Sequence, residues 1–349
     1  MRVTIVGAGA IGGTTGVQLH RAGHDVTLVD RDAAHVAAIN LNGYRISGYV
    51  ELSEQVPAIT TDQLATHVEQ HGPLGMVVLA VKAMDTDAAA AVIAPFLADD
   101  GFIVSYQNGL NEERIAPIVG PERTIGAFIH FGGDLIEPGH VVLANRVTTY
   151  LSELDGRRTP RIEEIAQVLA AVTPVEITNN LNGYLWGKLC YAALGFAVSV
   201  VDAPVDEILE ANPGVRPAIR GVVAEVIDVA HAQGLRLENI HGFDPNLFDR
   251  ENPDRLAQTD RFFDEWSARG KHSIKRHMGI HRDIKVRKRR TEVDFQVGPV
   301  IARGRDLGVA TPLLERLVSI VHDVETGKRA QDWDTIEELN AAAEAAGER

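Results

Sequence analysis

Cys190 is the only cysteine in this 349-residue chain, so no intrachain disulfide can form and the fold is not a disulfide scaffold. That usage fits a reducing compartment, and a cytoplasmic protein is expected. Basic residues are in deficit. Lys and Arg number 34 against 48 Asp and Glu, a formal charge of −14, which sets nucleic acid and anionic membrane aside as general partners. No apolar run is long and unbroken enough to span a bilayer. No leader is expected either, because strand-like sequence starts at Arg2. Internal repeats and low-complexity tracts are missing as well. What remains is a chain of ordinary hydrophobic and charged content, long enough for about two domains with sizeable cores.

The first half alternates strand-like and helix-like segments. RVTIV is followed by a glycine-rich turn and a helix from Ile11 to about Arg21. HDVTLVD precedes a helix from Asp32 to about Asn42. MVVLAV, at 76–81, is a continuous apolar run, as a parallel strand covered on both faces requires. A helix at 86–97 leads to the strand FIVSY, and TIGAFIHF, HVVLA and VTTYLSEL read as further strands. This pattern predicts an α/β domain over 1–178, a doubly wound parallel sheet of Rossmann type. After PVEIT the chain reads as helical, giving an all-helical C-terminal domain over 179–349. Helix starts are expected at Asn212-Pro213, at Thr291 with Asp294 as a capping box, and at Thr311-Pro312. Residues 238–272 read as a long loop or lid carrying one helix. The final EELNAAAEAAGER reads as a helical tail that frays.

The strongest chemical signal is TIVGAGAIGG. Gly7, Gly9 and Gly12, with Ala8, Ala10 and Ile11 between them, form G-x-G-x-x-G between a strand and a helix. Such a turn brings a diphosphate onto the free amides of the helix N-terminus. Asp30 ends the next strand, where a carboxylate accepts from the adenosine ribose hydroxyls and favours NAD(H) over NADP(H). Arg31 keeps NADP(H) open, since an arginine there can hold a 2′-phosphate, stack on adenine or simply lie in solvent. Lys82, after the 76–81 run, and Asn108, in YQNGL, sit at strand C-termini, where open parallel sheets bind their ligands. Each is weak alone: one reads equally as a solvated lysine, the other as a turn.

Lys188 poses a separate question. It lies on an apolar stripe of one helix, with Leu181, Leu185, Ala192 and Phe196. Either its stem packs while the ammonium reaches water, or it is held half-dry because its proton is used. Glu292, just after Thr291, reads first as an acid favoured by a helix N-terminus. The basic run Lys285 to Arg290 lacks interleaved aromatics and reads as a solvated face or a local anion contact.

Taken together, the opening glycine motif, V-K-A, N-G, W-x-K in a helix and T-E-V-D late in a helical domain resemble the ketopantoate reductases (2-dehydropantoate 2-reductases) over roughly residues 1–325. The resemblance implies a Rossmann domain followed by a helical domain with the active site in the cleft, and a homodimer. It implies Lys188 as general acid, Glu292 as its support, and Lys82 and Asn108 at the nicotinamide end of the cofactor and the substrate. It also marks departures. Ala192 and Phe196 stand where the family usually has asparagines, and Gly279 stands where a serine usually helps bind the substrate carboxylate. The expected activity is therefore NAD(P)H-dependent reduction of a small-molecule 2-oxo acid to a 2-hydroxy acid, with ketopantoate itself a poor substrate and no metal. A true 2-dehydropantoate 2-reductase, a dehydrogenase of opine or 3-hydroxy-acid type, and a dinucleotide-binding redox sensor are the alternatives.

Overall fold

The computed structural model describes residues 2–211, 213–271 and 276–348, and the chain divides into two compact units, Met1–Leu181 and Asn182–Arg349. Asn212, expected as a helix cap, lies outside the described residues, as does the last residue of the 238–272 segment.

The first unit holds strands β1 (Arg2–Val6), β2 (Asp25–Asp30), β3 (Tyr44–Gly48), β4 (Leu52–Glu54), β5 (Ala58–Thr60), β6 (Leu74–Leu79), β7 (Leu97–Ser105), β8 (Thr124–Phe128), β9 (Gly133–Glu137), β10 (His140–Leu143), β11 (Thr149–Glu153) and β12 (Val175–Ile177). Eight of them form one sheet in the order β12-β11-β8-β7-β6-β1-β2-β5. Successive residues along β1 and β6 feed opposite cores: Val3, Ile5, Met76 and Val78 lie in one, Val6, Val77 and Leu79 in the other. This double burial is why MVVLAV shows no polar alternation. The helices are α1 (Ala10–Arg21), α2 (Ala33–Asn42), α3 (Leu64–His71), α4 (Thr86–Ile93), α5 (Glu112–Val119) and α6 (Pro160–Leu169). The Asp32 carboxylate caps α2, accepting from the amides of Ala34 at 2.9 Å and His35 at 3.2 Å.

Two features depart from the expected parallel sheet. HVVLA belongs to a separate four-stranded sheet, β4-β3-β10-β9. β11 then returns antiparallel to β8, because the chain reaches it through that sheet instead of through a crossover helix. The helix expected over 86–97 is also shorter, since β7 already starts at Leu97.

The second unit is helical: α7 (Leu181–Ser199), α8 (Val205–Ala211), α9 (Arg216–Ala232), α10 (Arg255–Gly270), α11 (Gly279–Lys285), α12 (Val293–Gln296), α13 (Gly298–Leu307), α14 (Pro312–Glu325) and α15 (Trp333–Ala345). None of the described helices is long and apolar enough to cross a membrane. Residues 238–271 carry the one helix expected there, α10, and contribute an aromatic cluster to the core. Phe243, Phe248, Phe262 and Phe263 pack at centroid distances of 5.5–5.8 Å. Tyr191 of α7 joins them, 5.4 Å from Phe243 and 6.1 Å from Trp266. The C-terminal helix does not fray: Ile336, Leu339 and Ala343 are fully buried, and the buried Glu348 carboxylate accepts from Arg250 at 2.6 Å and Arg255 at 2.7 Å.

The start of α14 matches its Thr311-Pro312 signal, but Thr311 makes no side-chain cap. The cap is Glu225, on α9, which accepts from the amides of Leu313 at 2.9 Å and Leu314 at 2.8 Å. Burial pushes this carboxyl up to about 7, against the pull of those two amides. Glu225→Ala should lower stability by about 1–3 kcal/mol, because it strands buried donors. A carboxyl raised in the folded state stabilises fully below its unfolded value and loses that contribution as pH rises through about 7. The loss in urea midpoint should thus be larger near about pH 5 than near about pH 8. An equal loss at both pH values would refute the assignment.

Candidate active site

The glycine turn leaves β1 at Gly7, whose φ of +93° suits only glycine and where a Cβ would lie 2.9 Å from the backbone of Ala80. A Cβ on Gly12 would meet the Gly7 carbonyl at 2.0 Å, so this glycine closes helix onto strand. Over Gly9 the reverse holds: nothing stands within 4 Å of a Cβ placed there, and the backbone is open to a ligand. The turn thus fits a dinucleotide diphosphate, two glycines shaping it and one left open. At the end of β2, Asp30 accepts from the Ala8 amide at 2.8 Å and the Asp32 amide at 3.0 Å, which fixes the carboxylate beside the turn. Arg31 turns to Asp85 at 2.7 Å, with its side chain 76% exposed.

Lys82 is exposed just past β6, and Asn108 is half-buried past β7. The two loops are knit together by residues the sequence reading passed over. Gln107 Nε2 donates to the Val81 carbonyl at 2.9 Å and to Thr86 Oγ1 at 2.8 Å. Thr86 Oγ1 donates to Asn111 Oδ1 at 3.1 Å, and Asn111 Nδ2 donates to the Asn108 carbonyl at 2.7 Å. The signal for this network was visible in YQNGLN, where amide side chains flank the turn on both sides.

In the second unit α7 carries Lys188. The residue keeps some exposed surface, yet protein surrounds its ammonium. Burial pushes it down to about 7, while the nearby Glu292 carboxylate acts in the opposite sense. Glu292 is buried. Its backbone starts α12, accepting from the amides of Phe295 at 3.0 Å and Gln296 at 2.9 Å. The capping box expected from Thr291 does not form, because the helix begins two residues later, at Val293. Asp294 instead bonds His322 at 2.9 Å. Glu325 holds the Thr291 amide at 2.7 Å and steadies the approach to Glu292. Lys188 and Glu292 are thereby brought together from segments a hundred residues apart.

The three candidate substrate positions are less uniform. Ala192, one turn beyond Lys188, is 7% exposed and Phe196 is fully buried. Gly279 is the exposed first residue of α11, with nothing within 4 Å of a Cβ placed there. Just before it, Met278 leans on α7: a Cβ on Gly195 would lie 2.8 Å from its terminal methyl. Asp283, deeper in α11, gathers Arg287 at 2.8 Å and Arg289 at 2.8 Å.

Known proteins resemble this chain over most of its length. The family described as "Ketopantoate reductase PanE/ApbA" matches residues 3–156, and "Ketopantoate reductase PanE/ApbA C terminal" matches 180–325. A 2-dehydropantoate 2-reductase of Archaeoglobus fulgidus is 28% identical over 329 residues, 93% of this chain and 98% of the relative. The crystal structure of a PanE/ApbA family ketopantoate reductase from Ralstonia eutropha JMP134 is similar with a TM-score of 0.75 at 27% identity, covering 94% of this chain and 99% of that one. D-mandelate dehydrogenase, solved with NADH and anilino(oxo)acetate, reaches a TM-score of 0.78 at 23% identity over 94% of this chain and 99% of its own, a likeness of fold alone. The chain belongs to the ketopantoate reductase family, whose members are NAD(P)-dependent oxidoreductases acting on a CH–OH group.

Proposed function

We propose that the protein reduces a 2-oxo acid with an apolar side chain to the 2-hydroxy acid, with NADH as the preferred cofactor, Lys188 as general acid and Glu292 as its partner. The observation that carries this reading is the buried lysine beside a buried carboxylate, its ammonium brought down to about 7, where it can both hold and release a proton at working pH. The nicotinamide, when bound, supplies a hydride to the oxo carbon. Lys188 gives its Nζ proton to the carbonyl oxygen as charge develops there. Glu292 favours the charged lysine and so promotes its reprotonation from water. Gly7 to Gly12 hold the diphosphate, Asp30 the adenosine ribose, and Lys82 and Asn108 the nicotinamide end and the substrate. Ala192, Phe196 and Gly279 shape the substrate side. In this reading residues 1–178 bind the cofactor and 179–349 serve substrate and homodimer formation in the cytoplasm, on the strength of the family resemblance.

The test is consumption of NADH with a panel of 2-oxo acids. Turnover of none, with NADH bound tightly, would point to a redox sensor. The same assay decides the cofactor. In this reading Asp30, held by the Ala8 and Asp32 amides, repels a 2′-phosphate, and Arg31 is turned to Asp85. NADH should therefore exceed NADPH in kcat/KM, and Asp30→Ala should narrow the gap by relieving repulsion. A clear NADPH preference in the unaltered protein would mean that Arg31 leaves Asp85 for the phosphate, an exchange that an exposed ion pair resists only weakly.

A further inference from the structure

The glycine turn is held from behind by two buried side chains that the reaction does not use. Tyr44, the first residue of β3, is fully buried and places its hydroxyl 3.0 Å from both the Ala8 and the Gly9 carbonyls. His35, in the first turn of α2 and 2% exposed, bonds the Ala8 carbonyl through Nε2 at 2.9 Å. Its Nδ1 accepts from the Gly139 amide at 3.1 Å, so Nε2 carries the proton and donates. Gly139 lies in the turn between β9 and β10, and Tyr44 lies on β3, so both reach the site from the small sheet.

The backbone polar groups of the turn can be accounted for one by one. The Ala8 amide is taken by Asp30 and the Ala8 carbonyl by His35 and Tyr44. The Gly9 carbonyl is taken by Tyr44 and by the Gly13 amide at 2.8 Å. In a trans peptide the carbonyl and the following N–H point in opposite directions. Anchoring the Ala8 and Gly9 carbonyls inward therefore turns the amides of Gly9 and Ala10 outward, as donors an anion can use. Burial keeps the Tyr44 hydroxyl protonated, with Asp30 acting in the same sense, so it stays a donor. The helix is cut to admit it: a Cβ on Gly13 would lie 2.0 Å from the Tyr44 oxygen.

We propose that Tyr44 and His35 are positioning residues for the cofactor diphosphate, and that the small sheet serves to deliver Tyr44 beneath the glycine turn and to hold His35, on α2, in its donor form through the Gly139 amide. This rests on the dinucleotide reading of that turn. The test is direct titration of the whole chain with NADH, beside steady-state kinetics. Tyr44→Phe removes only the hydroxyl, and His35→Leu removes the ring donor. Each should weaken NADH binding about fivefold or more, the scale of one lost hydrogen bond, and leave kcat at saturating NADH within about twofold. His35→Gln, which keeps an N–H at similar reach, should recover most of the affinity, which a merely structural role would not require. NADH affinity unchanged in the folded variants, or a fall in kcat without a fall in affinity, would overturn the positioning role while the dinucleotide reading stood. An unaltered chain that binds neither NADH nor NADPH would remove both. Two residues are tested so that failure of one variant to fold leaves the other to decide.

Discussion

Lys188→Met should lower kcat by about a hundredfold or more, the ordinary contribution of general acid catalysis, with NADH affinity and circular dichroism nearly unchanged. Methionine keeps the length and packing of the stem and removes only the proton donor. Because burial brings the lysine down to about 7, the rate of 2-oxo acid reduction should fall as pH rises through that region, where the ammonium empties. Glu292 raises the lysine's affinity for its proton, so Glu292→Gln should move the fall to lower pH. The two residues act as one device, and the double variant should be no slower than Lys188→Met alone. If Lys188→Met keeps activity within about tenfold, a barrier change near 1.4 kcal/mol, the lysine is a packed stem with a wetted head. A pH profile that ignores Glu292→Gln would return that residue to the role of a helix-start acid.

Ketopantoate should be turned over more slowly than 2-oxo acids with apolar, branched or aromatic side chains, by about tenfold or more in kcat/KM. Ala192 lies one turn beyond Lys188 on α7. The family resemblance implies an amide there, and Ala192 cannot bond a substrate hydroxyl in its place. Phe196, a further turn on, is fully buried, so its ring fills volume that a smaller amide would leave open. Met278, leaning on Gly195, adds a thioether to the same stretch of α7. A buried hydroxyl that meets no partner costs about 1–3 kcal/mol, enough to reverse a preference. The comparison sets ketopantoate against 2-oxoisovalerate, 2-oxoisocaproate and phenylglyoxylate. Ala192→Asn should improve ketopantoate and leave the apolar substrates unimproved. Ketopantoate ahead of all three would defeat the idea and direct attention to Asn239 and His241, exposed side chains able to supply the missing hydrogen bonds.

Those features that depend on neighbours in sequence were legible before any coordinates. RVTIV, the glycine turn and α1 follow one another so closely that strand, motif and helix confirm each other, and Asp32 caps α2 as its residue type suggests. What stayed hidden depends on distant partners. The strands of the small sheet run three to five residues, too short for a period to emerge, and the pairing that joins its two halves, β3 with β10, links segments far apart along the chain. Thr291 and Asp294 have the form of a capping box, yet Asp294 is drawn to His322 and the helix starts late. Glu225 caps a helix 88 residues away, which no local pattern encodes. The alanine-rich C-terminus read as loose because small side chains give little amphipathic contrast, although Ile336, Leu339 and Ala343 fall on one buried face. For the site, the pairing of Lys188 with Glu292 comes from resemblance, whereas YQNGLN shows the amides of Gln107 and Asn111 but not Thr86, which joins them from 21 residues away.

All three tryptophans, Trp186, Trp266 and Trp333, fall in the unit Asn182–Arg349, one fully enclosed in α7 and one stacked on Tyr191 in the aromatic cluster. Intrinsic emission excited at the indole band is therefore a selective optical probe of the helical unit and is blind to the unit that holds the eight-stranded sheet. Far-ultraviolet dichroism averages over both. A melt followed by the two signals together separates one cooperative transition from two, since coincident curves require the units to lose structure as one.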